Sequence, residues 1–216
     1  FSYPNLKMGA HRNEDFGNMI NGTTGQVSTT CILKDVDSRA LIDFAAVHNS
    51  NNDFALNGPQ NIKANLRNYW CNGTPLPPLK SSSTEAEVNE NFGEFTSTVT
   101  KLLVLQESKG YGELIRNIKE GNIEEISPTD EITKALFNID MDAEGSNSVR
   151  SRQKTEAEDK EASNIYKAGS VVVFKNLKKN KFGIMIIRSV NVDFDAVKAT
   201  NDANATITFD LYYQRY

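Results

Sequence analysis

The chain lacks the short motifs that mark the commonest enzyme classes. It contains no G-x-S-x-G elbow, no Walker loop, no G-x-G-x-x-G and no H-E-x-x-H, the patterns that position a nucleophile, a phosphate group or a zinc ion. Histidine is scarce: we expect surface or capping roles for His11 and His48, the only two, since a general base also needs a positioned partner. The sequence therefore argues against the usual hydrolases and nucleotide-binding enzymes, and it identifies no reaction.

Metal-binding patterns are missing as well. Neither histidine stands at ligand spacing from Cys31 or Cys71, the only cysteines, so we expect no metal site and no cofactor. The run DMDAEG, residues 140–145, begins like a calcium loop, but its twelfth position is Ser151, where an EF-hand requires a bidentate glutamate. The two cysteines could be joined in an exported protein or remain separate buried thiols, and the sequence leaves both alternatives open.

Long apolar runs and an excess of basic residues are also absent. The runs LLVLQ and IMIIRSV are too short to cross a bilayer, and no signal peptide heads the sequence. Because the first residue is Phe1, we expect a mature or trimmed chain, which leaves room for a lipid anchor upstream of Phe1. The net charge of -4 is the opposite of what a polyphosphate partner favours, so we expect no nucleic acid.

Strand patterns dominate both ends of the chain. NLKMGA and ALIDFAAVH alternate near the start, and Asn21-Gly22 between them is a hairpin-type dipeptide. Near the end, SVVVF and FGIMIIRSVNV are apolar on both faces, which is typical of strands buried on both sides. ATITFDLYY alternates Ile207, Phe209, Leu211 and Tyr213 against polar positions. These segments predict antiparallel sheets.

Helical patterns lie in the middle. Thr84 and Glu87 form a candidate capping box, YGELIRNIKEG has an apolar stripe ending at Gly121, and Ser127 can cap a third helix. TVTKLLVLQ is a candidate strand between the first two. HNSNNDFALNGP, residues 48–59, predicts a polar loop, and the mixed charges of residues 141–163 predict a mobile loop.

The prediction is a single β-rich domain over residues 1–216, of a mainly β (α+β) class. We expect an antiparallel β-sandwich, jelly-roll-like, with two or three helices inserted between the N-terminal and C-terminal strands, at about residues 84–140.

Candidate ligand-binding residues come from aromatic and carboxylate patterns. NYWCNGT places Tyr69, Trp70 and Asn72 together, a mixture that suits sugars, although a lone tryptophan such as Trp70 is more often a core anchor. Tyr212 belongs to a weaker aromatic cluster at the C-terminus. Asp43 interrupts an apolar strand, where it either faces solvent on the open side of a sheet or acts on a ligand.

A basic hairpin stands out in this acidic chain. Residues 167–191 carry six basic side chains and no acidic one, so the segment is +6 and the remainder, by subtraction from -4, is -10. Lys178, Lys179 and Lys181 fall at its tip. Because both arms are apolar on both faces, we interpret the tip as a solvated turn rather than a nucleic-acid contact.

Two stretches carry a resemblance. AGSVVVFKNLKKNKFGIMIIRSV followed by ATITFDLYYQ, and MGAHRNEDFGNMINGTTGQV followed by ALIDFAAV, resemble the patterns of uncharacterised exported proteins and lipoproteins of Bacteroidota. The resemblance implies a β-rich sandwich in the periplasm, outer membrane or cell surface. It transfers no active-site residue.

The function expected from these observations is a non-catalytic binding module of the cell envelope or surface. Its partner would be a polysaccharide or another envelope protein. One alternative is a carboxylate-dependent glycoside hydrolase, which needs two carboxylates about 5 to 10 Å apart in one cleft. A second is a structural or assembly module that pairs an edge strand with another chain.

Overall fold

A computed structural model of the chain describes residues 1–11, 13, 15–48, 54–63, 66, 69–72, 74–76, 78–80, 82–121, 123, 125–151, 164–192 and 204–215. Within these residues the protein is mainly β, with two antiparallel five-stranded sheets and four α-helices. The strands are β1 (Ser2–Gly9), β2 (Met19–Asn21), β3 (Gln26–Ser28), β4 (Phe44–His48), β5 (Phe54–Asn57), β6 (Trp70–Cys71), β7 (Thr74–Pro75), β8 (Thr100–Val104), β9 (Ser148–Ser151), β10 (Val171–Asn176), β11 (Lys181–Asn191) and β12 (Thr206–Tyr213). The helices are α1 (Val36–Arg39), α2 (Glu85–Thr96), α3 (Gly112–Glu120) and α4 (Met141–Glu144), and 3-10 helices span Thr30–Lys34, Pro59–Asn61, Glu107–Lys109 and Lys134–Asn138.

Sheet I contains the strands that the sequence marks most clearly. Its order is β1-β12-β11-β10-β8, with every neighbouring pair antiparallel. Strands β10, β11 and β12 follow one another in sequence and form its centre. This confirms the predictions for SVVVF, FGIMIIRSVNV and ATITFDLYY. TVTKLLVLQ contributes β8 at one edge, and NLKMGA belongs to β1 at the other.

Sheet II has the order β3-β2-β4-β5-β9. The hairpin predicted at Asn21-Gly22 joins β2 to β3. A separate two-stranded hairpin, β6-β7, lies outside both sheets.

One apolar cluster is shared by the two sheets. Sheet I contributes alternate residues of β12, namely Ile207, Phe209, Leu211 and Tyr213, as the sequence predicts, and sheet II contributes Phe44 and Ala46 of β4 and Phe54 and Leu56 of β5. We call the face of sheet I that supplies this cluster its inner face. Burial of such side chains contributes about 25 cal/mol for each Å² of apolar surface, so this cluster is the main stabilising region between the sheets.

Each sheet also has a covered outer face. Val171, Val173 and Ile184 of sheet I pack under α3 and the 3-10 helix Lys134–Asn138. The outer face of sheet II packs under α2, the β6-β7 hairpin and the Thr30–Lys34 turn. The strands β10 and β11 are therefore apolar on both sides because both sides are covered, as their pattern predicts.

The first two predicted helices are confirmed. In α2 the Thr84 side chain accepts from the Glu87 N–H and the Glu87 carboxylate accepts from the Thr84 N–H, which is the predicted capping box. Helix α3 ends at Gly121 and buries Leu114, Ile115 and Ile118.

The prediction of a third α-helix is wrong. Residues 134–138 form a 3-10 helix, in which Leu136 N donates to Thr133 O and Ile139 N then donates to Leu136 O. The predicted stripe residues Leu136 and Ile139 are buried. The apolar stripe identified the buried side but did not distinguish a 3-10 helix from an α-helix.

Two predicted loops contain strands. Part of the 48–59 segment forms β5, which lies between β4 and the edge strand β9 in sheet II. The 141–163 segment begins with α4 and then β9, whose Val149 enters the shared cluster, while residues 152–163 lie outside the described part. Short strands beside Asn-rich or charged residues give too few alternations to be recognised, and pairing partners distant in sequence form them.

Among the described residues, no helix is long and apolar enough to span a membrane.

Candidate functional site

The predicted sugar-binding cluster at residues 69–72 is divided. Tyr69 is only 1% exposed, and its ring stacks on His11 with centroids 5.0 Å apart. Burial raises the pKa of its phenol. Asn72 is exposed at the turn of the β6-β7 hairpin, where its φ of 53° places it in the left-handed region. Trp70 lies in β6 opposite Pro75, and its side chain is outside the described structure.

Tyr69 is thus a core residue and cannot stack on a saccharide in this fold. Both histidines are also buried: His11 is 7% exposed, and His48, in β4, is 0% exposed. The expectation of a surface position is wrong for both histidines, and a capping role stays a prediction.

A disulfide resolves the alternatives for the cysteines. Cys31 and Cys71 are bonded, with their Cα atoms 4.9 Å apart. The bond joins the Thr30–Lys34 turn to the β6-β7 hairpin, over the apolar cluster on the outer face of sheet II. It fixes the position of Asn72, the next residue in the chain.

Asp43 is fully buried, at 0% exposure. It lies immediately before β4, and the alternation of ALIDFAAVH predicts a residue that faces solvent on the open side of a sheet. That interpretation is wrong, because both faces of sheet II are covered. A buried carboxylate requires paired charge and hydrogen bonds.

Four groups satisfy the Asp43 carboxylate. Oδ1 accepts from Asn176 Nδ2 at 2.7 Å, from Lys179 Nζ at 2.9 Å and from Tyr213 Oη at 3.2 Å. Oδ2 accepts from the Gly22 N–H at 2.8 Å. These donors come from the β2-β3 turn, the end of β10, the β10-β11 turn and the end of β12. The Asp43 network therefore joins the two sheets at one end.

Lys179 corrects the prediction for the basic tip. Its ammonium also donates to Leu41 O at 2.7 Å, and its side chain is only 20% exposed. Lys178 is exposed and Lys181 is half-buried. The turn directs Lys179 inward because Asn176 Oδ1 accepts the Lys179 N–H at 3.1 Å, and Asn180 takes a left-handed φ of 51°.

The Asp43 network is closed to a ligand. A Cβ at Gly22 would lie 2.4 Å from the Tyr213 ring, so the backbone packs directly on that ring and requires glycine there. Burial and the negative charge of Asp43 raise the pKa of Tyr213. With a cation, an amide, a phenol and a backbone N–H already bound, Asp43 has a structural role in this arrangement.

Tyr212 lies on the opposite face of β12 from Tyr213. Its half-buried side chain packs at the edge of the apolar cluster on the outer face of sheet I. Burial and the nearby Asp210 carboxylate raise its pKa. Among the predicted ligand-binding residues with described side chains, Tyr69 is buried, whereas the aromatic ring of Tyr212 keeps some exposure to solvent and lies beside charged groups.

Asp210 and Arg188 complete this surface. Oδ2 of Asp210 accepts from Arg188 Nε at 2.9 Å and also from Nη2, and Oδ1 accepts from the Asn5 N–H at 2.9 Å. Burial opposes ionisation of Asp210, but the hydrogen bonds from Arg188 and Asn5 and the guanidinium charge outweigh it, so the pKa of Asp210 is lowered. The Arg188 side chain remains 53% exposed.

We call Tyr212, Arg188, Asp210 and Asn5 the outer patch. The ion pair holds the guanidinium in place, the Arg188 side chain is 53% exposed, and its remaining N–H groups bond to no other described residue. A positioned planar donor next to a phenol can bind hydroxyl or carboxylate groups. Sequence analysis missed all but Tyr212, because Asn5 and Arg188 reach Asp210 only through the pairing of β1 and β11 with β12 and its irregular register.

The two buried aspartates do not face one cleft. Asp43 binds Tyr213 on the inner face of sheet I, whereas Asp210 lies on the outer face with Arg188. Sheet I separates them, so this pair does not meet the requirement of a glycosidase for two carboxylates around one bond.

The calcium-like run DMDAEG has a different role. Asp140 Oδ1 accepts from the N–H groups of Asp142 and Ala143 and caps α4, while Glu144 accepts from the Tyr111 phenol. Burial and that hydrogen bond raise the pKa of Tyr111 to about 12. In the part of the chain that is described, no three His, Cys, Asp or Glu side chains form a group that could hold a metal.

Comparison with known proteins gave one structural similarity. No protein-family model matches the chain, and no curated protein does. The crystal structure of a DUF4466 family protein from Parabacteroides merdae ATCC 43184, at 2.00 Å resolution, aligns over 98% of this chain and 52% of its own, with 14% sequence identity and a TM-score of 0.48. The chain thus spans about half the length of that protein.

Proposed function

We propose that this protein is an exported domain of the cell envelope or surface that binds a saccharide without catalysing its cleavage. The outer patch carries the proposal. It presents the partly buried ring of Tyr212 beside the fixed guanidinium of Arg188 on one face of a sheet. Saccharides combine apolar ring faces with hydroxyl groups, so an aromatic ring and a positioned donor match both.

The disulfide supports the proposed compartment. Bonds such as Cys31–Cys71 persist in the periplasm and at the cell surface and are rare in the reducing cytosol. The described part of the chain also has no free cysteine.

The cluster shared by the two sheets supports an antiparallel β-sandwich as the finer architecture. The jelly-roll-like connectivity stays a prediction. A sandwich would present the outer patch on a rigid scaffold, because strands on both sides of β12 fix its register.

Affinity electrophoresis through gels containing neutral polysaccharides tests the binding function. Retardation of the wild-type chain, abolished by Tyr212→Ala and retained by the matched variant Tyr111→Ala on the helical layer, would support it. Equal mobility of wild type and Tyr212→Ala in every gel that retards the wild type would contradict the assignment to the outer patch.

Thiol labelling in the native cells tests the compartment independently. The cysteines should react with a maleimide only after reduction. Labelling without reductant would argue against export.

A further inference from the structure

Two lysines oppose each other on the outer face of sheet I. Lys101 of β8 and Lys175 of β10 are register partners, and both side chains are half-buried. Residues opposite each other in an antiparallel pair project to the same side, with Cβ atoms about 5 Å apart. Their neighbours on that face, Leu103 and Val173, belong to the outer apolar cluster.

Neither ammonium group has an acidic partner among the described residues. Lys63 pairs with Glu85, Lys134 with Glu131, and Lys179 with Asp43. Like charges placed directly opposite each other destabilise a sheet. The chain has 28 acidic residues, so the lack of a carboxylate at this pair is not a consequence of composition.

The local packing holds both side chains. Lys175 Nζ lies 5.1 Å from the centroid of the Phe182 ring, in a cation–π contact. The Gly145 backbone covers Lys101 so closely that a Cβ added at Gly145 would lie 2.8 Å from the Lys101 Cβ. Restricting the lysine stems lowers the entropy cost of placing two ammonium groups around one anion.

We propose that Lys101 and Lys175 bind the carboxylate or sulfate group of an acidic polysaccharide. The inference rests on the proposed saccharide function and names the class of saccharide. An anion placed between the two ammonium groups offsets their repulsion. A polysaccharide that carries separated charges fits a two-lysine site better than a nucleic acid does, because the acidic remainder of the chain repels a continuous polyphosphate.

Binding to three polymers tests the proposal and distinguishes the source of the anion. Polygalacturonate supplies carboxylates, dextran sulfate supplies sulfates, and plain dextran supplies neither. Isothermal titration at low salt should show affinity for one or both acidic polymers that falls about tenfold or more in Lys101→Gln and in Lys175→Gln, and that weakens with added salt. The exposed-lysine variants Lys34→Gln and Lys109→Gln should bind as the wild type does.

A charge reversal separates loss of binding from loss of folding. Lys101→Glu creates an opposite-charge pair with Lys175, so we expect the melting temperature to rise by about 1 to 4 °C while acidic polymers no longer bind. A lower melting temperature would contradict the premise that the two lysines repel each other.

Three further results would overturn the inference: unchanged affinity in both glutamine variants, an equal loss in Lys34→Gln, or equally tight binding of single-stranded DNA through the same lysines. Failure of this proposal is distinguishable from failure of the proposed function. In the first case neutral polysaccharides still bind through Tyr212 and acidic groups add nothing, whereas in the second no polysaccharide of any kind binds.

Discussion

The two faces of sheet I differ in how charged groups are paired at the same end of β10. Lys175 and Asn176 are consecutive, but Asn176 points inward to the closed Asp43 network, whereas Lys175 points outward beside Lys101, and neither lysine has an acidic partner in the described part of the chain. The same contrast separates Tyr213, bound to Asp43, from Tyr212, beside the Arg188–Asp210 pair. Burial between two sheets requires complete pairing of charge, whereas an outer face bordered by solvent tolerates groups that remain available to a ligand.

Removal of the inner carboxylate should give the largest effect. Asp43→Ala leaves Lys179, Asn176, Tyr213 and the Gly22 N–H without their shared acceptor, and we expect the free energy of unfolding to fall by about 3 to 5 kcal/mol. Urea denaturation measures it. Asp43→Asn, which keeps the shape and one acceptor oxygen, should be less damaging.

The control for this prediction is Glu90→Ala, at an exposed position of α2. A loss of stability in Asp43→Ala no larger than that in Glu90→Ala would show that the buried carboxylate stabilises the fold no more than an exposed one does.

The Cys31–Cys71 disulfide over sheet II should give the next largest effect on the free energy of unfolding. It closes a loop with a sequence separation of 40 residues, so we expect the double variant Cys31→Ser, Cys71→Ser to lose about 2 to 4 kcal/mol. Reduction of the wild type should lower its urea midpoint to that of the double variant, which itself should not respond to reductant. An unchanged midpoint on reduction would contradict the bond.

The outer ion pair should contribute less, and its contribution should depend on pH. Because the pKa of Asp210 is lowered in the folded chain, its stabilisation is present above about pH 4, the usual range of aspartate, and is lost as the pH falls through the folded value. Solvent screens the half-exposed Arg188, so Asp210→Asn should cost about 1 kcal/mol or less at pH 7.

Urea midpoints of wild type and Asp210→Asn, measured from neutral pH downward, test this. The gap between them should close in strong acid. A gap that stays constant would assign the loss to packing rather than to charge.

The smallest expected effect on stability is that of ionising the two neighbouring tyrosines, Tyr212 and Tyr213. Burial raises both pKa values, and Tyr213 also bonds to Asp43. A raised pKa stabilises the fold below about pH 10, the unfolded value, and this contribution is lost as the pH rises. In a tyrosinate absorbance titration, Tyr212→Phe should remove a phenol that ionises in the folded chain, and Tyr213→Phe one that ionises only with alkaline unfolding. Identical titration curves for the two variants would remove the contrast.

Strong periodicity made much of sheet I predictable. The apolar residues on both faces of β10 and β11 and the alternation of β12 were sufficient to assign the buried faces of these strands. The Thr84–Glu87 capping box located α2. Strand β5 was missed because three apolar residues among asparagines carry little periodic signal. The outer patch was recognised only at Tyr212, since Arg188 and Asn5 are distant from Asp210 in sequence.

Apolar residues that recur over several turns or alternations identified the buried side of most strands and helices from the sequence, because local periodicity selects the face that leaves water. The sequence also argued against the commonest hydrolases and nucleotide-binding enzymes, because it lacks their motifs. The environments of individual charges depend on the folded chain: Asp43 and Lys179 form a buried pair, and Lys101 lies opposite Lys175 on the neighbouring strand. Strand register and the elements that cover each face set these environments, and residues far away in the chain determine both.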